Sequence, residues 1–393
     1  MKNYKYLIVG GGMTADSAAK TIRKYDRNAT IGLIGSENDP PYKRPPLTKG
    51  LWKDADFDSI WLKTGDKDVD VISNTRVTSL DLPHKQVEDE NGEHYAYEKL
   101  LLATGGSVRR LPFGDDHILY YRYAADYLAL RREAENKHHF TVMGGGFIGS
   151  EIAAGLRMIG KQVTILFPED GIGALVFPAD LSQFINDYYR EKGVNVLTGE
   201  LGTALEPDNS RWKLITDARE IVTDQVIAGI GIRPNTALAA DAGLKVDGGI
   251  LVDQNLLTSH DDVYAAGDVA TIHNTILDRN IRYEHEDNAV KMGEAAGKNM
   301  TGKAERYDNY LPYFYSDLFD LGYEAVGTLN PKLDITADWQ EKYKKGVIYY
   351  HQDGQVKGVL LWNVWGAIKK ARALIEETHQ QPVDSVDLKG RIE

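Results

Sequence analysis

Cysteine is absent from the 393-residue chain. No disulfide, thiolate-bound metal or catalytic thiol is therefore available to it. Long apolar runs are absent too. None approaches the ~18–20 residues that a membrane-spanning helix needs, so no membrane span is expected. The opening apolar run, Tyr6-Leu7-Ile8-Val9, is too short for a signal peptide and has no cleavage region behind it, which points to a cytoplasmic protein. Positive charge is in short supply: 46 Lys and Arg against 58 Asp and Glu give a net charge of −12. No nucleic-acid partner is expected, because phosphate binding needs a concentrated basic surface. The ten histidines show no metal-ligand spacing, so no metal is expected. The G-x-S-x-G, Walker A and H-E-x-x-H patterns are missing as well.

What is present is an ordinary globular composition, 42% hydrophobic and 26% charged. At roughly 100–200 residues per domain, the length accommodates two to four domains. A repeat of domain size stands out. Tyr6–Val9 followed by Gly10-Gly11-Gly12-Met13-Thr14-Ala15 resembles Phe140–Met143 followed by Gly144-Gly145-Gly146-Phe147-Ile148-Gly149, at an offset of 134 residues. Each copy reads as strand, glycine turn, helix, strand. The first helix carries Met13, Ala15, Ala18, Ala19 and Ile22 at helical spacing, and Ala29–Ile34 reads as the next strand. The second carries Ile148, Ile152, Leu156 and Ile159, stops at Gly160, and is followed by a strand over Val163–Phe167.

Gly10-x-Gly12-x-x-Ala15 and Gly144-x-Gly146-x-x-Gly149 have the spacing of a dinucleotide turn. The first glycine allows the tight turn, the second lets the backbone approach a pyrophosphate, and the third position stays small for helix packing. The helix N-terminus then offers N–H groups and a positive dipole end to the phosphates. Glu37 follows Ala15 by 22 residues and Glu169 follows Gly149 by 20. Both close a second strand, where a carboxylate can accept ribose hydroxyls. A carboxylate at Glu169 would also repel a 2′-phosphate, so NADH is expected over NADPH.

Two further segments, Leu100–Gly106 with Ala103-Thr104-Gly105, and Asp262–Asp268 with the final Gly267-Asp268, read as apolar strands that end in small-residue turns. The order of glycine turn, A-T-G, second glycine turn and Y-A-A-G-D resembles the FAD-dependent pyridine-nucleotide oxidoreductases. Within them, Tyr42-Lys43-Arg44-Pro45-Pro46-Leu47-Thr48-Lys49, Gly144 through Glu151, and Arg282-Tyr283-Glu284-His285 resemble the apoptosis-inducing-factor and ferredoxin-reductase group. Phe167-Pro168-Glu169, Asn299-Met300-Thr301-Gly302 and Ser316 through Gly327 are similar to apoptosis-inducing factor in particular.

The resemblance implies FAD and NAD(H) as cofactors. It implies cofactor contacts from Gly10, Gly12, Ala15, Glu37, Arg44, Lys49, Ala103, Thr104, Gly105, Asp268, Glu284 and His285, and from Gly144, Gly146, Gly149, Glu151, Glu169, Gly231 and Tyr315. Asp268 would bind the flavin ribityl chain. Lys49 and Glu151, the latter placed in the first turn of the second helix, would form an ion pair beside the flavin N5. A positive charge there would stabilise negative charge on the reduced ring. Phe147 would gate or stack on the nicotinamide, and His285 would line the pocket. These four, Lys49, Glu151, Phe147 and His285, are the candidate catalytic residues. Position rather than proton transfer should set the rate, because hydride passes directly between the rings. Tyr315 stands where the group commonly has Trp, which keeps an aromatic ring without the indole.

The expected fold is α/β: two Rossmann-like domains and a small α+β C-terminal domain. The FAD domain would comprise 1–116 and 247–311, the NAD(H) domain 117–246, and the last domain 312–393. In that last domain, strands are expected at Tyr323–Gly327, Gly346–Tyr350 and Val356–Trp362, a hairpin turn at Gly354, and a helix over Ala367–His379. Three functions compete. One is an NADH-oxidising flavoenzyme with a quinone, oxygen or dye as acceptor, forming a stable charge-transfer complex. The second is a reductase of a small redox protein, ferredoxin or rubredoxin. The third is a redox-gated interaction protein, with NADH controlling a homodimer.

Overall fold

A computed structural model describes residues 1–392. These fall into two compact units. The first comprises Met1–Arg44, Asp58–Ser107 and Arg233–Pro312; the second comprises Pro45–Phe57, Val108–Ile232 and the chain from Tyr313 onward. Among the described residues, no helix is long and apolar enough to cross a membrane.

In the first unit, strand Lys2–Val9 runs parallel between Ile31–Ile34 and His94–Leu102. The sheet extends to Asp70–Ile72 on one side and to Val263–Ala265 on the other, again in parallel. Leu100, Leu101 and Leu102 are all fully buried. That is why the end of this strand reads as a continuous apolar run rather than an alternating one: both faces are covered there. Helix Met13–Tyr25 lies against helix Glu286–Met300. The approach is close because of two glycines. A Cβ at Gly293 would stand 2.5 Å from the Thr14 carbonyl oxygen, and one at Gly297 would stand 2.7 Å from that of Ala18.

In the second unit, Val194–Thr198, Gln162–Phe167, His139–Met143, Gln225–Ala228 and Ile118–Tyr120 form a parallel sheet in that order. Helices Phe147–Met158 and Ala179–Glu191 cross over between its strands. From Tyr313 onward the chain forms an antiparallel sheet, ordered Tyr313–Leu318, Leu321–Gly327, Gln355–Trp362, Lys345–Gln352 and Asp334–Glu341, followed by helix Ile368–Gln380. The α/β class and the C-terminal α+β piece are as the motif order predicts. The expected C-terminal strands and helix are present, with shifts of a residue or two.

Several strands carry no sequence signal. Asp334–Glu341 is the edge of its sheet and buries no residue fully, so it lacks an apolar pattern. Val77–Asp81 pairs antiparallel with Gln86–Asp89, which itself pairs antiparallel with His94–Leu102 in the first unit's sheet, and only its Leu80 is buried.

Candidate active site and nucleotide cradles

In the first unit, strand Lys2–Val9 delivers the chain into Gly10, whose φ of +138° is open only to glycine. A Cβ there would also overlap the Ala103 carbonyl oxygen. Gly12 caps helix Met13–Tyr25 without any side-chain cap. A Cβ built on Gly12 would meet only the Arg44 guanidinium, 4.0 Å away. Ala15 is fully buried beneath the turn. The uncapped helix end, with open space and a guanidinium in front of it, fits the pyrophosphate of a dinucleotide.

Glu37 lies just past strand Ile31–Ile34. Its carboxylate accepts the Tyr42 hydroxyl at 2.5 Å and forms an ion pair with Arg44. The sequence lists these two charged residues separately; the structure makes them one cluster, with the Arg44 guanidinium 5.0 Å from the Tyr42 ring centroid. Thr104 and Gly105 are latched by Asn235, which no motif in the sequence singles out. The Thr104 hydroxyl donates to Asn235 O at 2.9 Å, Asn235 Nδ2 returns a bond to Thr104 O at 2.9 Å, and Asn235 N donates to Gly105 O at 2.9 Å.

Asp268 sits in the 3-10 turn Gly267–Val269, and its carbonyl accepts from Arg282 at 2.9 Å. Arg282 also pairs with Glu284 at 2.7 Å. His285 caps helix Glu286–Met300, with its ring centroid 5.8 Å from that of Tyr283. Burial pushes the His285 imidazole down to about 4, although part of the residue remains exposed. It is therefore neutral at neutral pH.

The second unit repeats the cradle. Gly144 has φ +114°, and a Cβ on it would stand 2.5 Å from Gly229 O. A Cβ on Gly149 would overlap Gly144 O, so the third position is closed even to alanine. Gly146 differs: it caps helix Phe147–Met158 with no side-chain cap, and a Cβ there would meet nothing within 4 Å. That open space at a helix N-terminus fits the second pyrophosphate.

Glu169 follows strand Gln162–Phe167 and is half-buried. The loop behind it is pinned by fully buried Asn186, which donates to Asp170 O at 3.0 Å and accepts from Ile172 N at 2.9 Å. Gly173 N ties the same loop to Gly145 O at 2.8 Å. Gly231, at φ +89°, accepts Arg109 N at 3.0 Å.

The second unit also holds the charged pair. Lys49 Nζ stands 2.7 Å from Oε1 and 2.8 Å from Oε2 of Glu151. Glu151 is only 2% exposed. It is the fifth residue of helix Phe147–Met158, past the first turn where it was expected. The helix dipole acts mainly within that turn, so it is not what holds the carboxylate. Side-chain donors do: besides Lys49, Glu151 accepts the Thr48 hydroxyl and, at 2.5 Å, the Ser316 hydroxyl. Both hydroxyls lie in segments that carry the family resemblance, but nothing in the sequence assigns either of them to Glu151. The Lys49 ammonium also lies 5.1 Å from the Tyr315 ring centroid.

Segment Pro45–Phe57 is seated firmly enough to aim the lysine. Trp52 is 3% exposed and donates from Nε1 to Leu47 O at 2.8 Å. The Tyr121 hydroxyl donates to the same carbonyl at 2.5 Å, and the Tyr127 hydroxyl to Leu51 O at 3.1 Å. The Trp52 ring fills the space above Gly155, where a Cβ would come within 2.8 Å of it. Phe147 packs among aromatics, 5.3 Å from Phe314 and 6.5 Å from Tyr323 between centroids. Tyr189 and Tyr323 face Glu151, and their phenols are pushed well up, first by burial and then by its negative charge.

Residues 4–293 match the family model for pyridine nucleotide-disulphide oxidoreductases, and residues 331–377 match that for the C-terminal region of mitochondrion-associated apoptosis-inducing factor. The chain is 34% identical to apoptosis-inducing factor 1 of Dictyostelium discoideum over 95% of its length and 79% of the relative's. It is 32% identical to monodehydroascorbate reductase 3 of Arabidopsis thaliana, over 98% of this chain and 95% of that one. Among solved structures it resembles putidaredoxin reductase in its covalent complex with putidaredoxin, with a TM-score of 0.91, 28% identity, and coverage of 99% of this chain and 96% of that one. The absence of cysteine separates it from members of the family that work through a disulphide. With two uncapped glycine cradles and a matching family model across most of its length, the chain belongs to the pyridine nucleotide-disulphide oxidoreductases, in a branch similar to apoptosis-inducing factor, and is a flavoprotein that uses FAD and NAD(H).

Proposed function

We propose that the protein oxidises NADH through FAD and passes the electrons to an acceptor outside the chain. The observation that carries this reading is the pair of cradles, one per unit, each an uncapped helix N-terminus behind a glycine with positive φ. When bound, NADH supplies a hydride and the flavin N5 accepts it. The chain's own residues bind and orient. In this reading Gly10, Gly12, Ala15, Ala103, Thr104, Gly105, Glu37, Arg44, Asp268, Glu284 and His285 hold FAD. Gly144, Gly146, Gly149, Gly231 and Glu169 hold NAD(H), and Glu169 favours NADH by repelling a 2′-phosphate. Lys49 supplies positive charge, Glu151 keeps it in place, and Phe147 and Tyr315 offer aromatic faces. The FAD domain is 1–116 with 247–311, the NAD(H) domain 117–246 and the C-terminal domain 312–393.

The acceptor we favour is a quinone, oxygen or a similar small molecule, with the protein in the cytoplasm. A net charge of −12 disfavours docking of acidic iron–sulfur carriers, which need a basic face. A small redox protein is the second reading, supported by the likeness to putidaredoxin reductase bound to its carrier. The third is a redox switch in which NADH controls a homodimer. Anaerobic titration with NADH, followed by visible absorbance, tests the central reading. Two flavin bands should bleach as a broad long-wavelength band grows. Fast recolouring with a quinone or air supports an enzyme with a small acceptor, and slow recolouring with an NADH-dependent change in size supports the switch. A colourless protein that cannot be reconstituted with FAD would overturn the reading altogether.

A further inference from the structure

The Glu151 carboxylate is nearly sealed from solvent, and a buried ion pair is secure only when its remaining lone pairs are also satisfied. Here each oxygen receives the lysine and one hydroxyl. Oε1 takes Lys49 Nζ at 2.7 Å and Ser316 Oγ at 2.5 Å; Oε2 takes Lys49 Nζ at 2.8 Å and the Thr48 hydroxyl. Both hydroxyls are themselves buried, Ser316 at 1% exposure and Thr48 at 7%.

The three donors and Tyr315 fall into two adjacent pairs. Thr48 and Lys49 are neighbours on segment Pro45–Phe57, and Tyr315 and Ser316 are neighbours on strand Tyr313–Leu318. One member of each pair bonds Glu151 through a hydroxyl. The other members, Lys49 and Tyr315, face each other at 5.1 Å from ammonium to ring centroid. The two hydroxyls therefore restrain rotation of the carboxylate about its Cγ–Cδ bond, and the carboxylate restrains the ammonium. Without them, Glu151 could turn and the lysine would follow it.

We propose that Thr48 and Ser316 are positioning residues, a hydroxyl clamp on Glu151 that holds the Lys49 charge in one orientation for the flavin reaction. This rests on the NADH–flavin function proposed above. The clamp links the C-terminal sheet to the reaction: Ser316 reaches the charged pair from a segment that carries none of the glycine cradle.

Four single variants test it: Ser316→Ala and Thr48→Val remove a hydroxyl, whereas Ser316→Thr and Thr48→Ser keep one. The first readout needs no cofactor. The protein is acylated with a limiting dose of an amine-reactive acetyl ester, and modification of Lys49 is read by peptide mass spectrometry relative to the other lysines. Loss of one hydroxyl should raise Lys49 labelling about fivefold, and the conservative variants should restore protection. The second readout is anaerobic stopped-flow reduction by NADH. The limiting rate should fall about tenfold and the long-wavelength band should weaken, with the NADH dissociation constant within twofold of wild type.

Unchanged labelling and an unchanged limiting rate in Ser316→Ala and Thr48→Val would overturn the clamp. So would equal losses in the conservative variants, because the hydroxyl would then be irrelevant. A protein that binds no FAD would sink the function and with it the clamp's role in the reaction, whereas labelling would still decide by itself whether the two hydroxyls hold Lys49. If one alanine or valine variant does not fold, the other carries the test.

Discussion

Lys49 and Glu151, 102 residues apart in sequence, meet with the ammonium 2.7 and 2.8 Å from the two carboxylate oxygens. The pair lies within the second unit, and the carboxylate is 2% exposed. Breaking a buried pair leaves an uncompensated charge, which costs about 3–5 kcal/mol. Lys49→Met should therefore destabilise the fold by about 3 kcal/mol in chemical denaturation. Adding Glu151→Gln should recover most of that stability. It should not recover the rate of flavin reduction, which stopped-flow should find about 10- to 100-fold below wild type in both variants. A double variant that reduces flavin at the wild-type rate would remove Lys49 from the chemistry.

The glycines of the second cradle should separate folding from binding. Gly149→Ala would force a Cβ into the Gly144 carbonyl oxygen and should lower Tm by several degrees, roughly 1–3 kcal/mol of strain. Gly146→Ala meets no neighbour within 4 Å and leaves φ at −80°, so Tm should not change. Its methyl group would occupy the space in front of the helix end, and the KM for NADH should rise about tenfold. Calorimetry and steady-state kinetics on the two variants check both halves.

Nicotinamide choice should turn on Glu169. Its carboxylate closes strand Gln162–Phe167, and its loop is fixed by Asn186. Replacing it with serine removes the like-charge repulsion to a 2′-phosphate. The ratio of kcat/KM for NADPH to that for NADH should rise at least about tenfold, the equivalent of ~1.4 kcal/mol. An unchanged ratio in Glu169→Ser would assign cofactor choice elsewhere.

His285 gives a pH dependence of defined sign. Its folded value is about 4, below the ordinary 6.5, because burial disfavours the charged ring. As pH falls past 6.5 the unfolded chain takes up a proton that the folded chain refuses until about 4. The stability tied to His285 is thus complete above pH 6.5 and is lost as pH falls from 6.5 toward 4. Denaturation midpoints measured across that window should fall less steeply in His285→Gln than in wild type.

The two glycine turns, their flanking strands and helices, and the acidic residues that follow were all legible in the chain. Each is a local pattern whose spacing is fixed by helix and strand geometry. Strands with covered faces also showed themselves, as the Leu100–Leu102 run did. The edge strand Asp334–Glu341 was silent because nothing selects an apolar face where none is buried. Glu151, expected in the first helical turn, lies one residue beyond it; the Lys49 pair is the one the resemblance implies, and the two hydroxyls that complete its contacts were not expected.

The sequence by itself determined the α/β class, the duplicated cradle and the exclusion of thiol chemistry, because each depends on residue type and short-range spacing alone. Only the tertiary structure decided that Arg44 is joined to Glu37, that Asn235 latches Thr104 and Gly105, and that Thr48 and Ser316 close around Glu151. A serine or an asparagine has no periodicity to read. Its role is set by the partner that folding brings within about 3 Å, and that partner can be any residue in the chain.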